Sequence, residues 1–205
     1  MDPVTRIAAF DLDHTMVRRD LVMPFLRHAA GDIRVLRAVS RASTVRAVLR
    51  RDRNAVKAAA TTSLAGLALP VIDRSARVIA SAATTRFLHP VTAQMWRAEG
   101  EAGSKRVIVS ASYEPYVSRI GEHLAADAVL ATQLEVDDGH ATGKLAGVNC
   151  RGPEKVRRLQ ELLSRWGLER DAVVIAAWGD SAGDRDMLAW ADEPWRVSRS
   201  RVTPA

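Results

Sequence analysis

"AAFDLDHTMVRRD" occupies residues 8–20, and it places two aspartates, Asp11 and Asp13, one residue apart directly after an apolar run. Crowded carboxylates raise each other's pKa, so the pair needs a compensating partner. Residues two apart in an extended segment point the same way, so both acids are expected on one side of a strand end. A divalent cation that prefers oxygen would remove the conflict, and Mg²⁺ typically takes one or two carboxylates together with substrate oxygens. An aspartate held in this way can attack phosphorus while its neighbour handles a proton.

Working outward, "RIAAFDLD" at 6–13 reads as a short buried strand that ends at the acids. Residues 21–101 show helical spacing instead. Ile33, Leu36 and Val39 fall on one stripe, as do Val45, Val48 and Leu49, with Arg46, Arg50, Arg53 and Lys57 on another face. The uncharged run "AAATTSLAGLALPVI" at 58–72 is 15 residues long, too short and too weakly apolar for a spanning helix. It reads as a packed helix that breaks at Pro70. Strand signals return at "KRVIVSAS" (105–112), "AVLAT" (128–132) and "AVVIAAWGD" (172–180). A helix is expected from Glu114 to about Ala125, and another over 153–167 with Pro153 near its start. "QLEVDDGHATGKLAG" predicts a hairpin turning at Asp138-Gly139.

Strands that alternate with helices predict an α/β fold with a mostly parallel sheet. Ligands of such sheets sit at the carboxyl ends of the strands. Three strand ends here carry polar groups, Asp11/Asp13, Ser110 and Asp180, so one shared site is expected.

"DLDHT", then "VIVSAS", then a lysine at a helix start, then "GDSAGD", resembles the haloacid dehalogenase superfamily of phosphohydrolases, in the branch that contains phosphoserine phosphatase. The four motifs occur in the family's order over residues 11–184. The resemblance implies a Rossmann-like core, residues 1–16 and 89–205, with an inserted helical cap at 17–88 that selects the substrate. It implies Mg²⁺-dependent hydrolysis of a phosphomonoester through an aspartyl-phosphate on Asp11. Asp13 would be the general acid/base, with its backbone carbonyl on the metal. Thr15 would support the loop, and Ser110 would bond a phosphoryl oxygen. Lys155 would neutralise charge on the nucleophile and phosphate; Lys144 is its rival, and Lys155 is preferred because it precedes the last strand from a helix start. Asp180 would bind Mg²⁺ directly, and Asp184 would hold the water shell or orient Lys155. Asp20 stands where phosphoserine phosphatases carry a glutamate for the substrate amine; it reads equally as a cap of the following helix. The ending "EPWRVSRSRVTPA" departs from the branch's Asn-Pro-Asp-like pattern, so a curtailed final strand and helix are expected.

The expected substrate is small and phosphorylated, phosphoserine-like or histidinol phosphate-like. Alternatives are a lipid phosphate at a membrane surface and a catalytically silent basic binding module. The formal charge is +6, yet residues 18–57 hold eleven Arg or Lys against three acids, a local net of +8. That excess is a solvated helix face, a lure for anionic substrate, or an attachment to anionic lipid or nucleic acid. Phe25 is the one aromatic residue of the stretch, which argues against stacking on single-stranded nucleic acid. A single cysteine, Cys150, excludes an internal disulfide framework and suits a reducing cytoplasm. The N-terminus shows no charged-then-apolar signal pattern.

Overall fold

Ile7, Ala8, Ala9 and Phe10 are all fully buried. Successive strand residues face opposite sides, so a strand with no exposed residue must lie inside a sheet covered on both faces. The computed structural model places β1 (Thr5–Phe10) in that position; it describes residues 5–40, 42–50, 52–198 and 201–205, without the side chains at 42, 43 and 45. Five helices follow: α1 (Val22–Ala30), α2 (Asp32–Val39), α3 (Ala42–Leu49), α4 (Arg53–Thr61) and α5 (Leu69–Ala82). Next come α6 (Pro90–Glu101), β2 (Lys105–Tyr113), α7 (Glu114–Leu124), β3 (Ala128–Thr132), and a hairpin of β4 (Leu134–Asp137) and β5 (His140–Leu145). The chain ends with α8 (Pro153–Arg165), β6 (Val173–Gly179), α9 (Arg185–Trp190), β7 (Glu193–Val197) and β8 (Val202–Pro204).

The main sheet has six strands in the order β3-β2-β1-β6-β7-β8, parallel except for the β7–β8 pair. This is the expected α/β fold. Alternate residues of the central strands feed two cores. Ala8, Phe10, Ile108 and Trp178 pack against Trp96 of α6 and Tyr116, Val117 and Ile120 of α7. Ile7, Ala9, Val109 and Ile175 pack against Leu159, Leu162 and Leu163 of α8 and Met187 of α9. Each buried aliphatic side chain contributes about 1.5–3 kcal/mol. Phe10 stacks on Trp178 across the β1–β6 ladder, with ring centroids 4.0 Å apart.

The hairpin turns where expected, with Asp138 and Gly139 both at positive φ (42° and 71°). Both central residues of this two-residue turn must be left-handed to match the strand twist. The hairpin leans on the inserted helices, Gly66 N donating to Ala141 O at 2.7 Å. The insertion leaves and rejoins the sheet at one point: Arg18 N donates to Phe87 O at 2.8 Å and His89 N to Met16 O at 2.9 Å.

Several local expectations are corrected. Strand β1 stops at Phe10, so the acids lie in a turn just beyond it. Pro70 does not end a helix; it sits in the first turn of α5, where no backbone N–H is needed. The break falls at Gly66, whose φ is 73°. Arg46 and Lys57 do not share one helix face, because Asp52 caps a new helix, accepting from Ala55 N at 2.9 Å. The stripe Ile33/Leu36 is not the buried face of α2, which is Val35 and Ala38; Ile33 and Leu36 are 67% and 64% exposed. On α3, Val48 and Leu49 are likewise exposed, and the side chain of Val45 lies outside the described residues. The final strand is present as β7, parallel to β6, with β8 added antiparallel; among the described residues no helix follows it.

Candidate active site

β2, β1 and β6 are neighbours, and β1 is where the strand order reverses, so their carboxyl ends open into one crevice. The turn after β1 is tight. Asp11 N donates to Trp178 O at 2.9 Å, which extends the ladder by one residue. Val17 N then donates to Leu12 O at 2.9 Å, and His14 takes a left-handed φ of 62°. Asp11 and Asp13 thereby enter the same cavity of about 510 Å³, lined also by Ser110, Ser112, Lys155, Asp180 and Asp184.

Lys155 reaches this point from the start of α8. Pro153 opens the helix, and Gly152 N donates to Gly183 O at 2.8 Å, tying the helix start to the loop after β6. The Lys155 Nζ donates to Asp11 Oδ1 at 2.6 Å, Asp184 Oδ1 at 2.7 Å and Val109 O at 2.6 Å. Burial works against its charge, but Asp11 and Asp184 outweigh it and hold the ammonium above its ordinary pKa. The rival Lys144 lies exposed on the hairpin.

One carboxylate oxygen each of Asp11, Asp180 and Asp184 lies within 4.8 Å of the others. Asp184 is further braced by the Ser181 amide (2.9 Å) and hydroxyl (2.8 Å) on its Oδ2. Lys155 and these bonds hold the Asp184 carboxyl below the usual range against the pull of burial. Burial pushes Asp11 and Asp180 the other way, above the ordinary carboxylate range. Three oxygen donors with one lysine between them, two of them reluctant to ionise, form a set that a hard cation would neutralise. The Thr15 hydroxyl, 3.5 Å from Asp180 Oδ1, closes the loop over this group.

The Asp13 carboxylate is not part of that trio. Its Oδ1 accepts from Leu21 N at 3.1 Å and its Oδ2 from the Ser112 hydroxyl. Burial, with Asp20 nearby, pushes its carboxyl up to about 7 although both bonds oppose the rise. Ser110 is buried, and its Oγ accepts from Ser112 N at 3.0 Å. Asp20 lines the cavity while its Oδ1 accepts from Val22 N at 2.9 Å, so it also caps the entry to α1.

Lys57, Arg53, Asn149, Arg151 and Ser112 line the cavity without having been assigned to it from sequence. Lys57 comes from the inner face of α4, donates to Ala111 O and lies 4.0 Å from the centroid of the Tyr113 ring. Burial lowers its pKa to about 8. The spacing Lys57, Ala60, Thr61, Leu64 is the inward stripe of α4 and its 3₁₀ extension, and would have flagged Lys57. Ser112 was visible in the S-x-S spacing of "VIVSAS".

The haloacid dehalogenase-like hydrolase family profile matches residues 8–189. The protein CicA of Caulobacter vibrioides is 37% identical over 201 residues, 95% of this chain and 87% of that one. A phosphoserine phosphatase of Archaeoglobus fulgidus is 27% identical over 89% of this chain, which spans about half (49%) of that protein. Among solved structures, a phospho-aspartyl intermediate analogue of phosphoserine phosphatase superposes with a TM-score of 0.66 at 19% identity, covering 94% of this chain and 86% of that one. A Bordetella pertussis Tohama I protein superposes at 0.74 with 20% identity, over 94% and 89%. The chain belongs to the haloacid dehalogenase-like hydrolases. Proteins named phosphoserine phosphatase are among its sequence relatives.

Proposed function

We propose that the chain hydrolyses a phosphomonoester by transferring the phosphoryl group to Asp11. The observation that carries this reading is the contact of the Lys155 Nζ with Asp11 and Asp184 at 2.6 and 2.7 Å, beside a third carboxylate and at the floor of a cavity. Phosphoryl transfer requires positioned positive charge and donors around three oxygens more than unusual reagents. Asp11 attacks phosphorus; Lys155 and the Ser110 hydroxyl face the phosphoryl oxygens. Asp13, oriented by Leu21 N and Ser112, protonates the leaving oxygen and then takes a proton from the water that cleaves the aspartyl-phosphate. Asp11, Asp180 and the backbone carbonyl of Asp13 would hold Mg²⁺, with Asp184 adjoining, and the ion would supply further charge against the phosphate. Residues 17–88 act as a cap over the cavity; the paired backbone bonds between 16–18 and 87–89 support that boundary.

The pair of acids supplies the test. Asp11→Asn abolishes turnover of an aryl phosphate, since an amide is a poor nucleophile, a loss of about 10³-fold or more. Asp13→Asn releases about one equivalent of aryl alcohol and stalls with phosphate on Asp11, because a good leaving group needs no acid but hydrolysis still needs a base. Intact-mass measurement reads the added phosphoryl group. Steady turnover by Asp13→Asn, or phosphate on Ser110, would overturn the roles.

For the leaving group, the first reading is a small metabolite, phosphoserine-like or histidinol phosphate-like. If Asp20 binds an amine, Asp20→Asn raises KM for amino-bearing substrates severalfold and leaves aryl phosphate unchanged; equal losses on both assign it to the helix cap alone. A second reading, a lipid phosphate, is favoured by one observation: Met23 lines both the catalytic cavity and an apolar groove between α1 and α2.

A further inference from the structure

The groove beside Met23, about 340 Å³, is lined by Ile33, Val35, Leu36 and Val39 together with the Arg27–Asp32 ion pair. Ile33 and Leu36 project outward on the side of α2 that the core does not use, and Val48 and Leu49 of α3 are 56% and 79% exposed. Single exposed aliphatics are ordinary; several within two short consecutive helices mark a surface that meets something apolar.

The charges around them narrow the occupant. Asp32 is engaged by Arg27, and Asp52 is engaged as the cap of α4. Arg37, Arg46 and Arg50 are exposed and make no ion pair among the described residues. The exposed apolar set is wholly aliphatic apart from Met23, and Phe25, the aromatic residue of this segment, is buried. Protein-binding hot spots are rich in Trp and Tyr. Exposed aliphatic side chains and arginines without an ion pair, carried by the same two consecutive helices, suit a helix surface that lies in the interface of an anionic bilayer.

We propose that the outer face of α2 and α3 docks on an anionic lipid bilayer and presents the adjoining cavity, through Met23, to a phosphomonoester whose alcohol carries acyl chains. The substrate half rests on the phosphomonoesterase reading; the docking half does not. Arginines contribute long-range attraction, and the aliphatic side chains enter the headgroup region. The groove then extends the catalytic cavity along the membrane surface.

Co-sedimentation of the full chain with vesicles of phosphatidylcholine, or of phosphatidylcholine doped with phosphatidylglycerol, tests the docking. The protein is expected on the anionic vesicles only, with binding that weakens as salt rises. The double variant Ile33→Gln/Leu36→Gln loses about tenfold or more of that binding. Arg46→Gln/Arg50→Gln also weakens it and flattens its salt dependence. Both variants keep wild-type turnover of a soluble aryl phosphate in the absence of vesicles, since none of the four residues lines the cavity. With phosphatidate held in the anionic vesicles, phosphate release by Ile33→Gln/Leu36→Gln falls about tenfold. Absence of vesicle binding, equal binding to neutral and anionic vesicles, or unchanged binding by the Ile33/Leu36 variant overturns the docking. Wild-type vesicle binding with turnover of aryl phosphate but none of phosphatidate overturns the substrate class. Failure to turn over aryl phosphate would instead strike the phosphomonoesterase reading, and sedimentation would still decide the docking.

Discussion

At the ends of β1 and β6, Asp11 and Asp184 are buried and compensated by Lys155 within a few ångströms, whereas the α2–α3 segment exposes its charges and, among the described residues, leaves several without an ion pair. Around Lys155 every bond has a named partner, two carboxylates and a carbonyl. Around Arg37, Arg46 and Arg50 the described residues supply no carboxylate. The first arrangement makes each charge depend on its neighbours, so the loss of one group propagates. The second makes each charge independent, and available to a partner outside the chain. Lys57 crosses the divide: it belongs by sequence to the insertion, yet it is buried against the strand-end loops.

The largest expected effect comes from breaking the compensated side. Lys155→Met leaves Asp11 and Asp184 facing each other without their shared cation. Removing one partner of a buried ion pair costs about 3–5 kcal/mol. Urea unfolding reads the stability loss, and turnover of aryl phosphate should fall about 10²-fold or more. A variant with wild-type stability would show that these charges are not coupled.

Lys57 sharpens the comparison through pH. Its folded pKa, about 8, lies below the ordinary 10.5 because burial disfavours the charge. Below pH 8 both folded and unfolded chains carry the proton, and the cost of burying the charge is present in full. Between pH 8 and 10.5 the folded chain loses the proton first, so the unfolded state binds more protons and stability rises with pH. Wild-type protein should therefore gain stability relative to Lys57→Met across that window, measured as the difference in urea midpoints. A constant difference would return Lys57 to the solvated side.

The smallest effect belongs to the exposed face. Leu49→Gln, at a side chain 79% exposed, should change stability by less than about 0.5 kcal/mol. Ile175→Val, in the fully buried centre of β6, should cost about 1 kcal/mol. Thermal melts of the two variants give the contrast directly, and a large loss at Leu49 would mean that this face already packs on part of the chain.

Much of the core and of the site was legible in the sequence. The apolar runs before Asp11 and before Asp180 each carry their own period and their own polar end, and Ser110 was legible in "VIVSAS" although β2 runs on to Tyr113. The turn at Asp138-Gly139 and the start of α8 at Pro153 are local signals too, because turn and cap preferences depend on a few adjacent residues. Lys155 was reachable by its place at a helix start. Other features were not local. Which carboxylates converge was decided by the loop after β6, which brings Asp184 to Lys155, and by the turn after β1, which aims Asp13 at Ser112 instead. Which side of α2 is buried was decided by its neighbours, because Ile33/Leu36 and Val35/Ala38 are both apolar stripes of the same helix. Lys57 became part of the site only because Asp52 starts a new helix and turns that residue inward. Periodicity states that a face is apolar or charged; only packing between distant segments states what the face meets.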